Sequence, residues 1–246
     1  MAQGGRVIWS IVIPAYDEVH RLPAYLQRVL AYFHERGESF EVVVVDDGSR
    51  DGTAASVREL RRAWDQIKLI VLPSNRGKGH AVRVGMVNAV GDFRLFADAD
   101  GATPILELGR LELALNGGAD IVIGSRVLAD PEVSVRALPH RKTVGRLFNW
   151  LVAGIGLRGI ADSQCGFKLF RARAAEDLFR SLRTDGFGFD VELLLLAQRR
   201  GYRVTEVPVN WADQPGSKLW VIAEGPKMLR QILSARANLA LGRYDR

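Results

Sequence analysis

Short apolar runs alternate with amphipathic stretches along most of this chain. Val7 to Pro14 is β-rich and closed by a proline, and Ala15-Tyr16-Asp17-Glu18 follows as a loop. Leu22, Leu26, Val29, Leu30 and Phe33 recur at helical spacing, with Gly37 as the stop. Phe40 to Val45 is almost continuously apolar, the mark of a strand buried on both faces of a parallel sheet. The alternation continues with a helix carrying Val57, Leu60 and Trp64, a strand from Ile67 to Leu72, a helix around Ala81, Val84 and Val87, and a strand ending before Asp98. Pro104 to Asn116 reads as a helix with Leu108, Leu111 and Leu115 inward, and Ile121 to Ile123 as a short strand. This rhythm predicts an α/β fold: a Rossmann-like, mostly parallel open sheet with helices on both faces.

Beyond Gly124-Ser125-Arg126 the pattern weakens. Val127 to His140 carries few regular signals, as lids and binding loops do. Val144, Leu147, Phe148, Leu151 and Val152 then form a helical stripe beside Arg141, Lys142, Arg146 and Trp150. That mixture of cations and apolar surface suits either a core helix or a helix lying on a membrane. Asp162 to Lys168 leads into a strand and Ala174 to Leu182 into a helix. Gly186-Phe187-Gly188-Phe189-Asp190-Val191-Glu192 opens a helix whose inward face is Val191, Leu194 and Leu195. Val204 to Val209 is the last strand, Trp211 to Lys218 a polar loop, and Leu219 to Tyr244 an amphipathic tail.

The carboxylates fall where chemistry is expected. Asp17, Asp46, Asp47 and Asp98 each follow a predicted strand, and ligands of open α/β sheets bind in the crevice outside those ends. Asp98-Ala99-Asp100 is the most specific feature, because period-two alternation turns two carboxylates one residue apart to the same side. Such oxygens suit a hard divalent cation, and Mg²⁺ commonly takes one or two carboxylates plus substrate phosphates. Gly77-Lys78-Gly79 lacks the spacing of an NTPase phosphate loop, and no Gly-x-Gly-x-x-Gly follows the first strand, so neither NTP hydrolysis nor classical dinucleotide binding is expected. Tight-turn geometry and main-chain contact with a ligand both remain open for these glycines.

Composition narrows the setting. The 246 residues, 48% hydrophobic, are enough to bury a full core. The formal net charge of +6 favours acidic partners, among them phosphorylated substrates and anionic lipid surfaces. No nucleic-acid motif accompanies that charge, so nucleic acid is not an expected partner. One cysteine, Cys165, excludes an internal disulfide, and no run approaches the roughly 18 apolar residues that span a bilayer. The expected location is the cytoplasm, or the cytoplasmic face of a membrane as a peripheral protein.

Five motifs stand in register: Pro14-Ala15-Tyr16-Asp17-Glu18, Val45-Asp46-Asp47-Gly48-Ser49, Asp98-Ala99-Asp100, Gly124-Ser125-Arg126 and Gln164-Cys165-Gly166-Phe167-Lys168. In this order they resemble the family 2 inverting glycosyltransferases, most closely the dolichyl-phosphate glucose synthases, with the mannose synthases next. The resemblance covers roughly residues 8 to 218. It implies one GT-A domain with a nucleotide-sugar lobe over about 1–125, an acceptor lobe over about 126–218 and the tail over about 219–246. It implies that Pro14, Ala15, Tyr16, Asp17, Glu18 and Asp46 hold base and ribose, with Asp47, Gly77 and Lys78 alongside. Asp98 would contact the ribose or metal region, Asp100 would ligate Mg²⁺ or Mn²⁺, and Gln164 would complete the metal shell. Arg126 and Arg141 would bind phosphate, and Lys218 would cover the diphosphate. Asp17 departs from the commoner Asn, keeping the acceptor oxygen and losing the amide donor.

The expected reaction is metal-dependent, inverting transfer of a hexose, UDP-glucose being the favoured donor and GDP-mannose the next, to a dolichyl or undecaprenyl phosphate. Asp190 and Glu192 decide a second question. As helix N-terminal acids they are structural, whereas as a catalytic base either would favour a carbohydrate or protein hydroxyl acceptor. A nucleotide-sugar-binding protein without turnover is the alternative from another class, and the intact Asp98 and Asp100 count against it. The tail is expected to pack on the core or pair with a second copy, and a membrane surface or a membrane-anchoring subunit is the further partner foreseen.

Overall fold

The computed structural model describes residues 6–136, 154, 156–157, 159–214 and 221–244. Arg141, Lys142, Arg146, the stripe from Val144 to Val152 and Lys218 lie outside the described residues. The first half is a strand-helix alternation: β1 (Trp9–Ala15), α1 (Leu22–Arg36), β2 (Phe40–Asp46), α2 (Thr53–Arg61), β3 (Ile67–Val71), α3 (Lys78–Asn88) and β4 (Phe93–Ala97). A 3₁₀ turn (Ile105–Glu107) then leads into α4 (Leu108–Asn116) and β5 (Ile121–Ser125). The second half holds β6 (Val135–Arg136), β7 (Phe167–Arg171), α5 (Ala172–Ser181), α6 (Phe189–Arg199), β8 (Val204–Pro208), β9 (Trp211–Ala212) and α7 (Val221–Ala240).

Seven strands form one sheet in the order β3-β2-β1-β4-β7-β5-β8. Only β7 runs antiparallel, between β4 and β5, with Phe167 opposite Ala97 and Lys168 opposite both Phe96 and Ile123. β1 and β2 are buried at every position because helices cover both faces of the sheet. One core lies on the α1 and α4 side, where Trp9, Phe33 and Phe40 pack ring against ring; the other lies under α3, α5 and α6. Among the described residues no helix is long and apolar enough to cross a membrane.

Three local expectations are corrected. Trp64 falls beyond α2, in the turn before β3, because the helix ends at Arg61. In α3 the inward face is Ala81, Val82, Gly85 and Met86, while Val87 is 41% exposed. The smallest residues face the sheet because Gly85 lies against Val12 and Val45, where a larger side chain finds no room. Gly85→Ala is therefore expected to cost about 1–3 kcal/mol by overpacking, read from the denaturant midpoint. Finally, the stretches read as irregular after Val127 and Trp211 contain a two-stranded parallel ribbon, Val135 opposite Trp211 and Arg136 opposite Ala212.

Candidate active site

The carboxyl ends of β1, β2, β4 and β5 deliver their polar loops to one edge of the sheet. After β1, Asp17 takes a positive φ of 51°, a left-handed conformation that Asp tolerates because its short polar side chain bonds locally. Asp17 receives the Arg50 N–H at 2.9 Å, and its own N–H donates to Ser49 Oγ at 2.9 Å. Glu18 is anchored by its N–H donating to Thr53 Oγ1 at 2.8 Å. After β2, Asp46 accepts from the Ser49 N–H and hydroxyl. Asp47 accepts the Arg76 and Gly77 N–H groups at 3.0 and 2.8 Å, fixing the turn that starts α3. Burial nonetheless holds the Asp47 carboxyl above its ordinary value.

Asp98 and Asp100 stand at the end of β4. Asp98 Oδ1 receives Lys78 Nζ at 2.7 Å, and the Asp98 N–H donates to Gly166 O at 2.9 Å. Gly166 has to be glycine, because a side chain there would collide with the Asp98 carboxylate. The Lys78 ammonium lies 5.3 Å from the Phe96 ring centroid and 5.9 Å from that of Phe187. Burial opposes its charge, but Asp98, Asp190 and Asp100 outweigh burial and raise its pKa. Asp100 Oδ1 accepts the Ala102 N–H at 3.0 Å. Its carboxyl is pushed above the usual range, first by burial and then by the neighbouring Asp98.

This pair fits a divalent cation. Two anionic groups are crowded at one strand end, and burial together with mutual repulsion penalises the charge of Asp100, a penalty that a bound cation removes. Among the described residues no third His, Cys, Asp or Glu joins them. Gln164, the third ligand the resemblance implies, would have to offer its amide oxygen, since its buried Nε2, which has no hydrogen-bond partner, is a donor and cannot bind a cation.

Arg126 and the later carboxylates all find partners within the protein. Arg126 Nε and Nη2 fork onto Asp162 at 2.7 and 2.8 Å, and the guanidinium stacks 5.5 Å from the Trp211 centroid. Burial disfavours the Asp162 anion, yet Arg126 outweighs it and holds the carboxyl below its ordinary value. A depressed folded-state pKa makes this stabilisation complete above the unfolded value of about 3.9 and lost as pH falls through the folded value. Asp162→Asn should accordingly lower stability at pH 6 and flatten its decline below about pH 4, measured by denaturant midpoints across pH. Asp190 is buried, with Lys168 Nζ at 2.5 Å. Glu192 is fully buried and accepts from Arg183 N, Thr184 N and the Tyr244 hydroxyl at 2.9, 2.8 and 2.6 Å.

Two neighbours of these residues become visible only in the fold, Arg21 beside Asp100 and Lys168 beside Asp190. Arg21 forks onto Glu18 and brings Nη1 to 4.0 Å from Asp100 Oδ2, so it bridges the first and third motifs. Its spacing of three from Glu18 on a helix start was the available clue. Lys168 closes the fifth motif, but nothing local in the sequence points to its partner Asp190, 22 positions away.

Comparison with known proteins completes the picture. The model of glycosyl transferase family 2 matches residues 10–179, from β1 into α5. The chain belongs to glycosyl transferase family 2. This glycosyltransferase is 36% identical to dolichyl-phosphate beta-glucosyltransferase of Homo sapiens over 248 residues, 96% of this chain and 76% of that protein. The Saccharomyces cerevisiae protein of the same name is 34% identical over 256 residues, 97% of this chain and 77% of that one. Among solved structures, glucosyl-3-phosphoglycerate synthase of Mycobacterium tuberculosis superposes with a TM-score of 0.69 at 20% identity, covering 94% of the glycosyltransferase and 81% of that chain. The same enzyme with Mn²⁺, UDP and phosphoglyceric acid gives 0.66 at 19% identity, covering 94% and 77%. These likenesses establish the GT-A fold expected for the glycosyltransferase. Its α6, β8 and α7 lie beyond the matched span.

Proposed function

We propose that this glycosyltransferase moves glucose from UDP-glucose to a dolichyl or undecaprenyl phosphate, with inversion at the anomeric carbon and with Mg²⁺ or Mn²⁺ bound. The observation that carries the reading is the 34–36% identity to two dolichyl-phosphate beta-glucosyltransferases, which runs over 96–97% of the chain and so includes the part beyond the nucleotide-binding motifs. In this reading Pro14, Ala15, Tyr16, Asp17, Glu18 and Asp46 receive base and ribose, and Asp47 with Gly77 holds the turn that presents Lys78. Asp98, Asp100 and Gln164 would hold the cation, which supplies Lewis-acid neutralisation of the leaving diphosphate.

As the bond to the anomeric carbon breaks, negative charge grows on the diphosphate. The half-buried, cationic Lys78 is held by Asp98 beside the site where that charge develops, so it stabilises the transition state without reorganising. Arg126, Arg141 and Lys218 are the further cations assigned to donor and acceptor phosphates. A phosphate monoester, with a second pKa of about 6, attacks as an anion and requires no general base. The engagement of Asp190 by Lys168 and of Glu192 by three donors supports such an acceptor over a neutral hydroxyl.

Incubation with UDP-glucose, Mn²⁺ and dolichyl or undecaprenyl phosphate is expected to yield a glucosylated lipid phosphate, and GDP-mannose to yield far less product. Transfer to sugar or protein hydroxyls with none to lipid phosphate would overturn the proposal.

A further inference from the structure

We propose that Gln231, on the C-terminal helix α7, is a positioning residue for Lys78; the catalytic meaning of this rests on the donor-binding role given to Lys78 above. The two residues do not touch. They are joined by the segment 184–189, which is pressed between α7 and the start of α3.

On the α7 side, Gln231 Oε1 accepts the Gly188 N–H at 3.0 Å. A Cβ at Gly186 would stand 2.3 Å from the Gln231 amide nitrogen and one at Gly188 would stand 2.8 Å from the Gln231 Cβ, so the absence of side chains there lets Gln231 approach. Gly188 is the N-cap of α6 and has no side chain to bond the helix end; Gln231 supplies an acceptor from another helix. On the α3 side, Asp185 O receives the His80 N–H at 3.0 Å. A Cβ at Gly77 would stand 2.5 Å from Asp185 O, and one at Gly79 would stand 2.5 Å from Thr184 O. The Asp185 carboxylate also holds Arg83 at 2.7 Å and Arg76 at 3.0 Å. Lys78 lies between Gly77 and Gly79, and Phe187, between Gly186 and Gly188, places its ring beneath the Lys78 ammonium. Gln231 thus bonds the main chain after Phe187 and lies close against it before Phe187, and that segment in turn bonds the main chain after Lys78 and lies close against Gly77 and Gly79 on either side of it.

The test compares Gln231→Met, which keeps volume and removes the acceptor, with Gln231→Glu, which keeps the acceptor. Hydrogen exchange of the His80 amide reports the loop contact without any ligand. UDP affinity in the presence of Mn²⁺, measured by calorimetry, reports the consequence at Lys78. Gln231→Met is expected to speed His80 exchange by about tenfold and to weaken UDP by about fivefold to tenfold, while Gln231→Glu stays within about twofold of the parent. In a Lys78→Met background, Gln231→Met is expected to weaken UDP no further, because the two act through one group. Exchange at the parent rate in Gln231→Met, or fully additive losses in the double variant, would overturn the proposal. A parent chain that takes up no UDP overturns the donor reading, and the exchange result still decides whether Gln231 positions the loop.

Discussion

Asp100→Asn is expected to lower sugar transfer by about a thousandfold, the loss that follows when the cation it would hold no longer neutralises the negative charge of the transition state. Among the described residues, Asp100 is the carboxylate of the pair with no cation closer than 4.0 Å. Its nearest guanidinium nitrogen is 4.0 Å away, whereas Asp98 has the Lys78 ammonium at 2.7 Å. Asp100 therefore gains most from a divalent cation, and Asp98→Asn acts chiefly by releasing Lys78. Mn²⁺ titration of the two variants checks this: affinity should fall further in Asp100→Asn, and chelation should bring the parent enzyme down to the activity of that variant. Equal losses of Mn²⁺ affinity would show the division of roles to be wrong.

Lys168→Met is expected to destabilise the fold by about 3–5 kcal/mol, because it strands a buried carboxylate. Lys168 is fully buried, its ammonium bonded to Asp190 Oδ1 at 2.5 Å and to Cys165 O at 2.6 Å. Burial already holds the Asp190 carboxyl above its ordinary value, with Lys168 as the main opposing influence. Without Lys168 that pKa rises further, so Asp190 folds protonated. The folded state then binds more protons than the unfolded one, and the stability of the variant should decrease as pH rises above about 4, the ordinary aspartate value. Denaturant midpoints from pH 4 to pH 8 test both the magnitude and the sign. The double replacement Lys168→Met with Asp190→Leu should recover most of the loss, since it removes both charges together.

These expectations rest on features of unequal legibility. Asp98 and Asp100 were readable because strand alternation and an abrupt polar end are local properties. Arg126 was correctly noticed as a strand-end cation, but its partner Asp162 is 36 positions away, beyond any periodic pattern. Asp190 and Glu192 were recognised as helix-opening acids, and the choice between base and structural anchor required their surroundings. Of the apolar residues that mark α3 in the sequence, Ala81 is buried but Val87 is exposed, because close packing of Gly85 against Val12 and Val45 turns the small residues to the sheet.

By itself the sequence determined the alternation of strands and helices, the burial of β2 on both faces, the stop of α1 at Gly37 and the delivery of aspartates to strand ends. All of these follow from periodicity, backbone preference and turn chemistry within a few residues. Tertiary structure alone decided that β7 inserts antiparallel between β4 and β5, burying Lys168 inside the sheet where it meets Asp190. It alone decided that α7 reaches back to the loop carrying Phe187. Such pairings arise from packing elements far apart in the chain, where burial and charge compensation select the partner and no local pattern encodes it.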